Sequence, residues 1–217
     1  MRRSIIYSRL TLAALAVFFL AAATQAACQY HEDDEWEEWH NRAQPPEKVM
    51  DVIGVVPGMT VAEIGAGRGR YAVHMAARVG EKGKVYANDI DSGALAYIRE
   101  RCERDGIGNI ETILGKVDDP LLPDGEIDLV YVINTYHHFD DPVALLEKLI
   151  PSLKPDGRLV IIEHDLDKYG DEAGTHCTSQ NELIDEVYRA GFILVRIETF
   201  LEKDNINIFI PRSRFGE

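Results

Sequence analysis

The residues best suited to chemistry form a glycine-rich segment, Glu-Ile-Gly-Ala-Gly-Arg-Gly, at positions 63–69. It directly follows a short apolar run that predicts a buried strand. Glycine lets the backbone turn tightly and approach a bound ligand closely, because it has no Cβ atom. A dinucleotide-binding turn has the spacing G-x-G-x-x-G, and the sixth position counted from Gly65 is Arg70. The spacing argues against an NAD-dependent oxidoreductase and leaves two readings, a turn around a different ligand or a plain turn into a helix.

Acidic residues lie at the end of the next predicted strand, in the segment 85–91 (Val-Tyr-Ala-Asn-Asp-Ile-Asp). Asp89 lies 24 residues after Gly65. A carboxylate at such a strand end can accept hydrogen bonds from both hydroxyl groups of a ribose. Asp91 has a different expected role, because it directly precedes a predicted helix and is suited to cap it.

Two later segments also follow predicted strands: 115–120 (Gly-Lys-Val-Asp-Asp-Pro) and 134–139 (Asn-Thr-Tyr-His-His-Phe). Ligands of open α/β sheets lie outside the carboxyl ends of the strands, so both segments are candidates for ligand contact. The first is also compatible with a plain turn, because Asp-Pro sequences favour turns. In the second, Asn134 and Tyr136 are candidate lining residues, and the ring of Tyr136 can pack against a cation.

The order of the predicted elements brings these segments together. Strands and helices alternate along most of the chain, which predicts an α/β fold with a parallel sheet covered on both faces. Strands are expected at 61–64, 84–88, 110–114, 127–133, 158–162, 192–199 and 205–210, and helices between them at 71–79, 92–105, 142–153 and 181–190. The short connection 200–204 predicts that the last two strands form an antiparallel hairpin. The expected fold class is a Rossmann-like, doubly wound, seven-stranded sheet that is mostly parallel.

Taken together and in this order, the four segments resemble the motifs of class I S-adenosylmethionine-dependent methyltransferases. The resemblance covers about residues 47–210, and its nearest likeness is the small-molecule branch that includes quinone-biosynthesis methyltransferases. It implies S-adenosylmethionine as the cofactor, with Asp89 on the ribose and Asp118, or its neighbour Asp119, on the adenine amino group. The cofactor-binding residues that it implies are Glu63, Gly65, Ala66, Gly67, Gly69, Asp89, Ile90, Val117, Asp118 and Asn134.

Histidine and tyrosine side chains are the candidate catalytic groups. A His-His-aromatic sequence often lies close to the methyl group in the family that the chain resembles, and His137 begins such a sequence here. The loop that follows the fifth strand carries acceptor recognition in this fold class, and a histidine there can act as a general base. The candidates are Tyr136, His137, His164 and His176. No compact ligand spacing among the histidines and acids supports a metal site.

The N-terminus has the order of a secretory signal peptide, which is expected to span residues 1–26. A basic start precedes an apolar run at 10–23 and small residues that end at Ala26. That run is shorter than the ~20 residues of a membrane-spanning helix. We therefore expect an exported protein, periplasmic or secreted, without an integral membrane span in the mature chain. Cys28 leaves lipidation open, although Gln25 departs from a lipobox.

Residues 27–46 are expected to form an acidic helix, with Trp36 and Trp39 as part of a candidate lid, and residues 47–217 the methyltransferase domain. The formal net charge of −14 repels phosphate backbones, so nucleic acid is not an expected partner. The expected function is methyl transfer to an oxygen, nitrogen or carbon atom of a small-molecule acceptor. Because S-adenosylmethionine is made in the cytoplasm, the alternative is an exported, non-catalytic module that binds a nucleoside or metabolite. The sequence leaves the oligomeric state open.

Overall fold

The structure of the protein is a computed structural model, which describes residues 35–169 and 178–215. Tertiary contacts separate a first unit, which ends at Arg42, from a second unit, which begins at Ala43. The second unit contains the sheet and its covering helices. The predicted signal peptide, residues 1–26, lies outside the described residues, and the expected export of the protein stays a prediction.

The described part of the first unit is helical. Helix α1 covers residues 35–43 and overlaps the predicted acidic helix. Trp36 and Trp39 on this helix are 51% and 56% exposed, and the ring centroid of His40 lies 3.8 Å from that of Trp36. The role of α1 as a lid stays a prediction.

Seven strands form one mixed sheet in the second unit. They are β1 (Thr60–Ile64), β2 (Lys84–Asp89), β3 (Ile110–Leu114), β4 (Ile127–Ile133), β5 (Leu153–His164), β6 (Phe192–Glu198) and β7 (Asp204–Pro211). Their order across the sheet is β3-β2-β1-β4-β5-β7-β6. The first five strands pair in parallel, and β7 is antiparallel to both of its neighbours. The predicted fold class is confirmed, including the antiparallel C-terminal pair.

Helices cover both faces of this sheet. They are α2 (Pro46–Ile53), α3 (Arg70–Val79), α4 (Ser92–Asp105), α5 (Pro142–Glu147), the short α6 (Leu166–Tyr169) and α7 (Gln180–Arg189). Successive side chains of a strand point to opposite faces, so each buried strand contributes to two cores. Val61 and Leu129 belong to the core under α2, α3 and α4, whereas their neighbours Ala62 and Val130 belong to the core under α5 and α7.

Helix α2 is closed at both ends by residues with a clear physical role. Pro46 occupies its first turn, where the missing amide hydrogen has no helical partner in any case. Gly54 ends the helix in the left-handed region, with φ +72°. The Arg158 guanidinium, reaching over from β5, donates to the carbonyls of Ile53 at 2.6 Å and Gly54 at 2.8 Å. This contact ties the helix to the sheet and places a cation at its carboxyl end.

The helix predicted at 142–153 is shorter in the structure, so its predicted end is wrong. Helix α5 stops at Glu147, and β5 begins at Leu153 instead of residue 158. The amides of residues 148–150 donate to carbonyls three residues earlier, as in a tight turn. Pro151 explains the early end, because proline has no amide hydrogen and disfavours helical geometry in the residue before it.

Candidate active site at the carboxyl edge of the sheet

The candidate site lies where the strand order reverses. Strand β1 pairs with β2 on one side and with β4 on the other. Open α/β sheets bind ligands in the crevice outside the carboxyl ends of the strands at such a point. The glycine-rich segment 63–69 leads out of β1, and the segment 134–139 leads out of β4. The fold therefore brings two of the predicted ligand-binding segments to the same place.

The glycine-rich turn has a backbone that other residues rarely adopt. Gly65, Gly67 and Gly69 have φ angles of +73°, +53° and +79°. A Cβ atom at Gly65 would lie 2.2 Å from Cγ2 of Thr135, so the turn packs directly against the segment that follows β4. A Cβ atom at Gly67 would meet nothing within 4 Å. The backbone beside Gly67 is therefore accessible to a ligand.

The end of β2 holds the turn in place. The amides of Gly65 and Ala66 both donate to the carbonyl of Asn88 at 2.9 Å. The amide of Gly67 donates to Oδ2 of Asp89 at 2.8 Å. The predicted ribose-binding carboxylate and the predicted glycine turn are therefore direct neighbours, although they are 22 residues apart in the sequence.

The two acids at the end of β2 have different surroundings. Oδ1 of Asp89 accepts from the amide of Asp91 at 2.9 Å. A carboxylate has about four acceptor positions, so Asp89 keeps the capacity to accept from ligand hydroxyls. Asp91 accepts from the amide of Gly93 at 2.7 Å and caps α4, as predicted. Ile90, between the two acids, exposes 60% of its surface.

The two acids of the segment after β3, Asp118 and Asp119, also have different surroundings. Oδ1 of Asp119 accepts from the amide of Leu121 at 2.9 Å within a turn in which Leu121 has φ +55°. Asp118 is exposed, and Val117 before it is 51% exposed. Asp119 therefore has a structural role in the turn, and the ligand contact of Asp118 stays a prediction.

Glu63 lies beneath the glycine turn. It is 4% exposed, and its Oε2 accepts from the hydroxyl group of Tyr131 at 3.2 Å. Burial raises the pKa of Glu63 to about 8, although the nearby positive charge of Arg70 opposes this. Burial therefore favours the protonated form of this carboxyl group, and its predicted contact with the cofactor stays a prediction.

Gln44 joins the two halves of the site and escaped the sequence analysis. It is 2% exposed, and its Oε1 accepts from Nη2 of Arg70 at 2.7 Å. Its Nε2 donates to Oδ2 of Asp204 at 2.9 Å and to Oδ1 of Asn134 at 3.2 Å. Asn134 itself has φ +49°, a conformation that asparagine tolerates better than most residues. One buried amide thus connects the residues below the glycine turn with the ends of β4 and β7.

Two histidine–carboxylate pairs lie beside Asn134. Nδ1 of His137 lies 3.0 Å from Oε1 of Glu163, and Nδ1 of His164 lies 2.6 Å from Oδ1 of Asp204. The imidazole rings of the two histidines are stacked, with centroids 6.0 Å apart and planes inclined by 20°. The side chain of His164 is 19% exposed, whereas that of His137 is 7% exposed. The two predicted histidines are therefore brought together, and the carboxylates that hold them were missed.

The pKa of His164 is raised above its ordinary value. Burial is the largest single influence and lowers this pKa, but the hydrogen bond and negative charge of Asp204 outweigh it. The charge of Glu163 raises the pKa further, and that of Lys203 opposes the rise. The local field therefore favours a protonated imidazole.

The remaining predicted catalytic residues have other surroundings. Tyr136 is 2% exposed and packs in the core under α5 and α7, where its hydroxyl group donates to Oε2 of Glu186 at 2.7 Å. Burial and the charge of Glu186 raise its pKa. The contact between its ring and a cation stays a prediction. His176 lies outside the described residues.

Metal-ligating side chains and apolar helices are the features of the described residues that bear on metals and membranes. Within 35–169 and 178–215, no group of three or more histidine, cysteine, aspartate or glutamate side chains is placed to hold a metal ion. In the same part of the chain, none of the helices has both the length and the apolar character that crossing a membrane requires.

Comparisons with known proteins agree on one family. The family described as "Methyltransferase domain" matches residues 61–157. A crystal structure of an S-adenosylmethionine-dependent methyltransferase from Aquifex aeolicus is 30% identical, with a TM-score of 0.71, and covers 76% of this chain and 88% of that one.

Curated relatives include the ubiquinone/menaquinone biosynthesis C-methyltransferase UbiE. The Shewanella piezotolerans protein is 30% identical over 121 residues, which are 55% of this chain and 48% of the relative. The Escherichia coli O1:K1 protein is 31% identical over 115 residues, 52% of this chain and 46% of the relative. The chain thus spans about half the length of the curated relatives that it matches.

Proposed function

Because the chain belongs to the S-adenosylmethionine-dependent methyltransferases, we propose that it methylates an oxygen, nitrogen or carbon atom of a small molecule. The bound cofactor supplies a methyl group that is already electrophilic, since it is carried on a sulfonium sulfur. The protein mainly has to hold the acceptor atom in line with that group, about 3–3.5 Å away, and to exclude water.

The cofactor fits the residues on one side of the crevice. The open space beside Gly67 allows a ligand to approach the backbone, and the Asp89 carboxylate next to it has acceptor capacity for ribose hydroxyls. The exposed apolar side chains of Ile90 and Val117 are suited to cover the faces of an adenine ring. The exposed carboxylate of Asp118 can accept from the adenine amino group. These roles belong to the proposal.

The carboxylates next to His164, on the side of the crevice proposed for the acceptor, are the main support for a small molecule as that acceptor. Oε1 of Glu163 accepts from the main-chain amide of His164 at the end of β5, and Oδ1 of Asp204, at the start of β7, lies 2.6 Å from its Nδ1. Two carboxylates at this point disfavour the polyanionic backbone of a nucleic acid. The UbiE relatives are C-methyltransferases of ubiquinone and menaquinone biosynthesis, which supports an acceptor of low molecular mass.

Transfer of a labelled methyl group tests the proposal. The full chain is incubated with methyl-labelled S-adenosylmethionine and, separately, with phenols, quinols, primary amines, total RNA and mixed proteins. We expect label on one class of small molecule and none on RNA. Asp89→Asn serves as the matched variant, and its transfer should fall with its affinity for the cofactor. Label on RNA or protein alone would contradict the proposal. Tight cofactor binding with no transfer to any acceptor would favour a non-catalytic binding module.

We also propose that residues 1–26 direct export of the protein. The order of a basic start, an apolar run and small residues before Ala27 supports this. Mass spectrometry of the protein from its native host tests it. A mature N-terminus at Ala27, in the periplasmic or secreted fraction, is the expected result. An uncleaved chain in the cytoplasm would overturn the proposal.

A further inference from the structure

We infer that Asn88 is a positioning residue for recognition of the adenine base, through a hydrogen bond that sets where the segment 115–120 lies relative to the glycine turn. The inference deepens the proposed function and rests on it, because that proposal places the adenine ring against Val117 and its amino group on Asp118. The basis is the contact of 2.7 Å between Nδ2 of Asn88 and the main-chain carbonyl of Pro120.

The main chain of Asn88 holds the glycine turn. Its carbonyl accepts from the amides of Gly65 and Ala66, both at 2.9 Å. A substitution of the side chain at residue 88 leaves this carbonyl in place. The contact with the glycine turn and the contact with the segment 115–120 can therefore be separated by mutation.

The side chain of Asn88 holds the segment after β3 at its far end. Its Nδ2 donates to the carbonyl of Pro120 at 2.7 Å and to that of Ile113 at 3.3 Å. At the near end, the amide of Gly115 donates to the carbonyl of Asp89 at 3.0 Å. The segment is thus tied at both ends to the last two residues of β2, and the residues proposed to meet adenine lie between these two ties.

Burial and local packing favour this hydrogen bond. Asn88 is 3% exposed, and a buried amide is unfavourable unless its polar groups find partners. A Cβ atom at Gly115 would lie 2.7 Å from Nδ2 of Asn88, so the glycine leaves room for the amide. An apolar side chain at residue 88 would deprive the carbonyl of Pro120 of this donor.

The position of the segment decides whether a carboxylate on it can reach the base. A hydrogen bond from the adenine amino group to Asp118 requires a separation of about 2.7–3.2 Å, and a shift of ~1 Å removes it. Without the tie at Pro120, the segment can move relative to the ribose-binding carboxylate of Asp89. Loss of the Asn88 amide should therefore weaken recognition of the amino group and leave the rest of the cofactor site in place.

Calorimetry with two ligands tests this inference. The probes are S-adenosylhomocysteine and its 6-deamino analogue, in which hydrogen replaces the adenine amino group. We expect the full-length wild type to bind S-adenosylhomocysteine about 10–100-fold more tightly than the analogue, because the carboxylate loses its donor. Asn88→Leu, which has a similar volume and no donor, should reduce this ratio to about threefold or less. A merely structural role would lower both affinities together and leave the ratio unchanged.

Asn109→Leu is the matched control. Nδ2 of Asn109 also donates to two main-chain carbonyls, those of Ala76 at 2.9 Å and Gly80 at 3.0 Å. Asn109 directly precedes β3, at the opposite end of that strand from the segment 115–120. The ratio of the two affinities should stay within about twofold of the wild-type ratio. An equal fall in both variants would indicate general loosening of the fold and overturn the inference.

Gly115→Ala perturbs the same contact from the other side. Its Cβ would displace Nδ2 of Asn88 from the carbonyl of Pro120, since the two atoms would lie 2.7 Å apart. We expect this variant to lose most of the ligand preference as well. It decides the question if Asn88→Leu does not fold, because a folded Gly115→Ala with the full wild-type ratio would contradict the inference.

The outcomes separate this inference from the proposed function. A folded wild type that binds neither ligand would overturn the assigned cofactor site and the role of Asn88 with it. Equal binding of both ligands by the wild type would overturn adenine recognition by the segment 115–120, while transfer of a labelled methyl group to a small molecule would still support the proposed function. A full ratio in folded Asn88→Leu would overturn the role of Asn88 alone.

Discussion

The buried carboxyl group of Glu63 predicts a specific dependence of stability on pH. Glu63 is 4% exposed, and burial raises its pKa to about 8 from an ordinary value of 4.5. Between these two values the folded protein holds a proton that the unfolded chain has lost. The contribution of Glu63 to stability is therefore complete below pH 4.5 and falls as the pH rises to about 8.

The magnitude follows from proton linkage. Because the folded protein binds one more proton than the unfolded chain in this window, each pH unit of increase lowers the free energy of unfolding by about 1.4 kcal/mol. From about pH 5.5 to about pH 7.5, the wild type should lose ~3 kcal/mol through this group alone. Glu63→Gln removes the ionisation and keeps an acceptor for the Tyr131 hydroxyl group. The variant should therefore gain stability relative to the wild type as the pH rises.

Urea denaturation without cofactor, across this pH range, measures the effect as a difference between the two proteins. Other titrating groups are common to both and cancel. Glu103→Gln, an exposed position on α4, is the control for removing a carboxylate, and its difference from the wild type should stay nearly constant. A constant difference for Glu63→Gln as well would refute the reasoning, because Glu63 would then titrate alike in the folded and unfolded states.

Two further substitutions test the crevice and the support of α2. Gly65→Ala should weaken cofactor binding by at least about tenfold, measured by calorimetry, because its Cβ would lie 2.2 Å from Cγ2 of Thr135 and its φ is +73°; unchanged affinity would contradict the geometry of the turn. Arg158→Met should lower the unfolding free energy by about 2–3 kcal/mol, measured in urea, because the carbonyls of Ile53 and Gly54 lose a charged donor. A loss below ~0.5 kcal/mol would show that these carbonyls find water instead.

The sheet and the glycine-rich turn could be predicted from the sequence because their signals are local. Apolar runs of strand length, separated by helical periods, predict the order of the elements, and G-x-G-x-G after the first run predicts a turn with positive φ. Asp91 caps α4 as expected, because capping depends on adjacent residues. The helix was predicted to reach residue 153 because the apolar periodicity continues that far, but it ends at Glu147. Pro151 was a local signal for the earlier end, and the prediction gave it too little weight.

The side of the crevice that holds the histidine–carboxylate pairs could be predicted only in part, because its contacts join distant parts of the chain. His137 and His164 were predicted, but their carboxylates come from other strands, and Gln44 lies 160 residues before Asp204. The sequence did contain one signal for these contacts. A strand that begins with Asp204 and carries two asparagines, all of them buried, has more polar side chains than a core strand needs. Buried polar residues of this kind indicate a hydrogen-bonded network.

Calorimetric titration of the full chain with S-adenosylmethionine and S-adenosylhomocysteine tests the central claim most directly. Asp89→Asn and Asp91→Asn form a matched pair, because both remove a carboxylate at the end of β2 and asparagine still caps a helix. The account predicts micromolar binding by the wild type and Asp91→Asn, and binding about 10–100-fold weaker in Asp89→Asn. Equal affinity in all three proteins, or no binding by folded wild type, would contradict it.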